Sequence, residues 1–86
     1  MKFTQIVEVL WNDIHDSGAE WTDIKKLKSH KVAPCFTVGY LVEETEEHVK
    51  VIGSYNTEKG KAAEFSGAVV IPRGAVTMLN YLEAKE

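Results

Sequence analysis

The stretch Val69 to Leu79, VVIPRGAVTML, holds two apolar runs with only Pro72, Arg73 and Gly74 between them. Both runs are rich in valine and other residues that favour extended backbone. Proline lacks an amide donor and fixes φ, so it ends the first run, and glycine two positions on can take a positive φ that strains other residues. Two short strands joined by a one-turn corner fit this pattern.

With 86 residues there is room for one domain, residues 1–86. A domain of this size leaves much apolar surface in water, so association with further copies would help it. Hydrophobic residues make up 44% and charged residues 27%, the balance of an ordinary globular chain. A net charge of -3 and a pI near 5.6 argue against a protein that coats nucleic acid, which needs a basic face. Cys35 is the only cysteine. It excludes an internal disulfide and an all-cysteine zinc site, and points to a reducing compartment, the cytoplasm. The start shows no charged region followed by a long apolar core, and no apolar run approaches the roughly 18 residues of a membrane span. A soluble, unprocessed protein is expected.

The segment FTQIVEVLW (3–11) supports two periods. Phe3, Val7, Val9 and Trp11 alternate as on a strand, while Phe3, Ile6, Leu10 and Ile14 form a helical stripe. Its two valines, isoleucine, Phe and Trp favour the strand. A loop from Asn12 to Glu20 follows, and then WTDIKKLKSHK (21–31) predicts a short helix. Thr22 is its expected N-cap, Asp23 suits the first turn, and Trp21, Ile24 and Leu27 form the face to be buried. Pro34 closes this segment.

From Cys35 onward the pattern is β. CFTVGYLVEET and HVKVIGSYN read as a hairpin joined at the acidic bend Glu44 to Glu47. Gly39 and Gly53 inside these strands mark sharp bends, bulges or the close passage of another backbone. A polar loop spans Thr57 to Glu64, and two last strands cover about Phe65 to Ile71 and Ala75 to Leu82. The fold class that results is mainly β (α+β): a small, five-stranded, partly open barrel of SH3-like or Sm-like type with one short helix.

The strand VGYLVEE followed by a hairpin, then IPRGAV and a final apolar strand, resembles the layout of Sm-like barrels. Ile71, Arg73 and Gly74 match that family's Ile-Arg-Gly corner with Pro72 inserted, and Gly39 matches the glycine of its first motif. The Asp and Asn of the family's RNA-binding pocket have no counterparts within Glu43 to His48. The resemblance also leaves a helix, as at the start of Sm-like proteins, as the alternative for the first segment. Over nearly the whole chain, Trp11-Asn12-Asp13, Trp21, Val38-Gly39-Tyr40-Leu41 and Ile71 to Val76, in that order, resemble a group of small phage and prophage proteins with no settled activity. That likeness implies a host-cell cytoplasm.

No residue pattern predicts catalysis. Asp13, His15 and Asp16, with His30, Cys35 or His48, lack the spacing of a rigid zinc site and read as loop residues. Cys35 has no local signature of an activated thiolate, and Ser54 and Ser66 have no nucleophile elbow. No enzyme, metal or cofactor is expected. Arg73, the lone arginine, offers a planar fork of donors suited to phosphate or carboxylate, with Gly74 beside it. Lys25 and Lys26, with Lys28 and Lys31, form the one basic concentration, and Tyr40 and Tyr55 are candidate stacking platforms.

Two functions follow. One is a non-enzymatic, homo-oligomeric module that holds a small anionic ligand, nucleotide-like, or a short RNA through Arg73, Gly74, Tyr40, Tyr55, Lys25 and Lys26. The other is a protein-interaction module, such as a phage accessory protein engaging a host protein through an open sheet edge or the acidic hairpin. The first demands a concave pocket where these groups converge. The second demands an exposed apolar patch or unpaired edge.

Overall fold

A computed structural model describes residues 3–83. The elements in chain order are β1 (Ile6–Asp13), α1 (Ile24–Ser29), β2 (Ala33–Glu44), β3 (His48–Ile52), β4 (Ser54–Asn56), β5 (Glu64–Ser66), β6 (Val69–Pro72), a 3-10 turn (Arg73–Ala75) and β7 (Val76–Leu82). Five strands form one antiparallel sheet in the order β6-β3-β2-β1-β7, and β4 pairs with β5 in a second, two-stranded sheet. Among the described residues the protein is mainly β with one short α-helix. The two edges of the large sheet, β6 and β7, are joined covalently by the 3-10 corner but do not pair with one another, so the sheet is not closed.

Seven strands appear where the sequence predicts five, because two predicted strands are each cut at a glycine. Gly53 separates β3 from β4, and Gly67, with φ +70°, separates β5 from β6. The cuts face each other: the Gly53 amide donates to the Ser66 carbonyl at 3.1 Å, and a Cβ on Gly67 would lie 3.4 Å from the Gly53 nitrogen. One long hairpin is thus folded across a pair of glycines, which lets its tip change direction while both halves stay paired. Gly39 meets its expectation differently. A Cβ there would stand 2.7 Å from the Ile52 carbonyl oxygen, so the end of β3 passes directly over it.

The corner itself departs from the sequence reading. Gly74 lies in the middle of the 3-10 turn without a positive φ, and nothing approaches within 4 Å of where its Cβ would be. A 3-10 turn keeps every residue in the right-handed region, so the bend needs no left-handed glycine. Pro72 does end β6, with φ -57°, and the Arg73 amide donates to the Glu47 carbonyl at 2.8 Å, tying the corner to the β2–β3 bend.

Alternation along β1 builds the core. Val7 and Val9 are fully buried, and they pack with Val49, Val51 and Ile71 from β3 and β6. Trp11, Leu41, Val69, Ala75, Val76 and Leu79 ring this cluster. Each buried Val or Ile contributes roughly 1.5–3 kcal/mol relative to exposure. The half-buried Trp11 ring donates from Nε1 to Thr37 Oγ1 at 2.9 Å, which satisfies the one polar atom it brings inward.

The segment 14–32 corrects a prediction. The helix forms, but with Asp23 as N-cap in place of Thr22: its Oδ1 accepts from the Lys26 amide at 2.7 Å. It buries no residue, and Trp21 is 100% exposed, Ile24 64% and Leu27 51%. The predicted buried face has no body to face, because β1 and β2 pair from Asp13↔Ala33 onward and the segment leaves the sheet at that end as an arm. The molecule measures 58 × 27 × 24 Å with a radius of gyration of 17.2 Å, against about 12 Å for a compact chain of this length. Stacked rings of His15 and His30, centroids 4.2 Å apart, join the two legs of the arm. Pro34 enters β2 instead of closing the helix; β3 pairs with β2 only from Tyr40, so Pro34 has an open side where no amide is required.

Candidate interaction surface

Arg73 stands among carboxylates. Its Nη2 lies 3.2 Å from Glu44 Oε2, and Glu44, Thr45, Glu46 and Arg73 line an open hollow at the corner. The Tyr81 hydroxyl donates to the other oxygen of Glu44, and this bond, with some desolvation, raises the Tyr81 phenol above its ordinary value. Among the described residues no hydrogen-bond partner reaches the buried Nη1 of Arg73. On the outer side of the same hairpin, His48 Nε2 lies 2.5 Å from Glu43 Oε1 and Lys50 Nζ 3.7 Å from that oxygen. The hydrogen bond with His48, then the charge of Lys50, hold the Glu43 carboxyl below its ordinary value.

Tyr40 and Tyr55 meet edge to face with centroids 5.3 Å apart, and Phe3 packs edgewise on both Tyr55 and Phe65. The Tyr55 hydroxyl also accepts from the Phe3 amide at 3.3 Å. Beside this cluster, Phe3, Val42, Lys50, Ile52, Phe65 and Ala68 line an open apolar hollow of about 550 Å³. The tyrosines therefore serve mainly as packing for one another, with Tyr40 and Tyr55 half-buried.

The sequence-predicted residues thus fall into three separate places. Tyr40 lies opposite Ile52 at one end of β3, whereas Pro72, next to Arg73, lies opposite His48 at the other. Four residues of strand put these ends about 13 Å apart. Lys25 and Lys26 sit on the arm, where no ion pair or hydrogen bond joins their side chains to Arg73 or to a tyrosine among the described residues. Asp13 and Asp16 accept from the amides of Ile14 and Gly18, as loop carboxylates do, and no group of three His, Cys, Asp or Glu side chains is gathered for a metal among the described residues.

A surface that the sequence reading missed lies on the outward face of the large sheet. Register places Phe36, Leu10 and Met78 in one row across β2, β1 and β7, with Val38, Glu8 and Asn80 in the next and Tyr40, Ile6 and Leu82 beyond. Phe36 is 70% exposed, and Val38, Met78 and Leu82 are exposed as well. The only polar pair in these rows is internal: Asn80 Nδ2 donates to Glu8 Oε1 at 3.1 Å. An antiparallel sheet with one face in water alternates apolar with polar, whereas β2 is apolar on both sides from Cys35 to Val42. That run of CFTVGYLV was the available signal. It reads as a strand covered on both faces.

Comparison of the chain with protein families, with curated proteins and with solved structures found no match. Among the described residues no helix is long and apolar enough to cross a membrane.

Proposed function

We propose that this chain is a non-enzymatic protein-interaction module built on an SH3-like or Sm-like small-barrel plan. The plan draws support from the strand order β6-β3-β2-β1-β7, in which a 3-10 corner carries the chain from one edge of the sheet to the other. The interaction reading rests on one observation: the outward row Phe36-Leu10-Met78, with Val38 beside it and only the Glu8–Asn80 pair interrupting the face, is apolar and uncovered. Exposed apolar surface of this kind marks protein contacts, and an exposed aromatic such as Phe36 is the usual anchor.

A photo-crosslinking amino acid at position 36, compared with one at Lys59 in the exposed polar loop, tests this. Covalent protein adducts are expected from position 36 and not from 59. Equal labelling from both positions, or none from 36, would remove the reading.

One observation favours the anionic-ligand alternative, the unpartnered Nη1 of Arg73. An anion arriving there must displace Glu44 and face Glu46 as well. That alternative requires Arg73→Ala to abolish a phosphate or nucleotide titration, and an unchanged titration removes it.

A further inference from the structure

Two unsatisfied surfaces belong to the same chain. The arm presents Trp21, Ile24 and Leu27 to solvent, and the sheet presents Phe36, Val38 and Met78. Their charges are opposed. The arm, residues 14–32, holds four of the ten Lys and Arg, all at or after Lys25, and three of the thirteen Asp and Glu, all before Ile24, so the rest of the chain carries six cations against ten anions. The helix and C-terminal leg of the arm form a basic, apolar element without a body, and the body is an acidic one whose apolar face lacks a cover.

Resting on the protein-interaction reading, we propose that the partner is a second copy of this chain, with the arm of each copy laid across the outward β2-β1-β7 face of the other. Trp21, Ile24 and Leu27 then cover the Phe36-Leu10-Met78 row and Val38, while Lys25, Lys26 and Lys28 face a body of net negative charge. The exchange is self-complementary, because each copy supplies one arm and one face, and a twofold axis closes it.

Area supports this occupant. Aromatic side chains bury about 150–250 Å² each, so Trp21 and Phe36 from two copies remove about 600–1,000 Å² from water. Adding Ile24, Leu27, Val38 and Met78 from both brings the interface to the 1,200–2,000 Å² or so of a stable complex. A single copy offers its arm no comparable contact among the described residues, since the arm leaves the sheet at the Asp13↔Ala33 end and α1 buries no residue.

The test uses the full chain in a Trp11→Phe background, which makes Trp21 the sole tryptophan. Sedimentation equilibrium should give a mass of at least twice 9.6 kDa, and the Trp21 emission should shift to the blue as concentration rises through the association range. Trp21→Ser in the native chain, and separately the triple substitution Lys25→Glu, Lys26→Glu and Lys28→Glu, should each weaken association about tenfold or more. Both alter side chains exposed in the single chain, and retained β circular dichroism verifies the fold. Phe36→Ser should weaken association equally.

A monomer at every concentration overturns the proposal, whether Trp21 is water-exposed or is buried by folding back onto its own sheet. An assembly indifferent to the arm substitutions overturns it too. In either case, adducts from position 36 to a different protein would leave the interaction reading standing, whereas loss of all adducts would remove both.

Discussion

Gly39→Ala is the substitution that most directly measures how tightly the sheet curls. An alanine Cβ at this position would stand 2.7 Å from the Ile52 carbonyl oxygen, 3.3 Å from its carbon and 3.4 Å from Val51 Cβ. Even a weak carbon–oxygen contact prefers about 3.3–3.6 Å, so the two backbones must separate by roughly half an ångström. The atom in the way is main chain and has no rotamer to change, and the pairs Tyr40↔Ile52 and Leu41↔Val51 must stretch with it. Overpacking of this kind costs about 1–3 kcal/mol, offset by about 0.4–1 kcal/mol from the stiffer unfolded chain. The net loss of about 1–2 kcal/mol lowers Tm by roughly 5–15 °C in a domain of this size. Gly74→Ala is the matched control. It has open space and no positive φ, so only the unfolded-state gain of about 0.4–1 kcal/mol remains and Tm rises by a few degrees. Thermal and urea unfolding followed by circular dichroism measure both. If the two variants shift in the same direction, or Gly39→Ala leaves Tm within about 2 °C of the parent, the close crossing of β2 and β3 is wrong.

Trp11→Phe loses the Nε1 bond to Thr37 and should destabilise by about 1 kcal/mol, and adding Thr37→Val should cost less than the sum of the two single changes. Glu43 has a depressed pKa in the folded chain, so its contribution to stability is present above its unfolded value and fades as pH falls through the folded one; carbon-detected NMR titration should show His48→Ala moving this carboxyl back up. Tyr81 has a raised pKa, so its contribution is present below the ordinary phenol range and is lost as pH rises through the folded value. Absorbance of the phenolate in alkali should find Tyr81 ionising late, and Glu44→Gln should bring it down.

Residue type alone placed the β-rich runs from Cys35 onward and showed that Pro72 ends one of them and that a corner follows, because β-branched density and the missing proline amide act within a few residues. The first segment stayed open between strand and helix until its pairing with β2 and β7 made it a strand. Residue type also marked Gly39 and Gly53 alike as a bend, a bulge or a close backbone passage, without separating the three. Which glycines break a strand was settled by pairing: Gly53 and Gly67 become cuts only because they face each other across a hairpin. Arg73, the tyrosines and the lysines look alike as candidates along the chain, yet β3 separates the first two groups and the arm removes the third, since distance across a sheet depends on register and not on composition.

The stripe of Trp21, Ile24 and Leu27 states that a surface wants to leave water without naming the surface that will cover it. Only the tertiary structure decided that the chain's own body does not, since β1 and β2 carry the arm off the end of the sheet and leave its apolar side, like the outward face of β2, exposed to solvent. Burial depends on where two surfaces meet in space, and periodicity in one segment carries no information about the second.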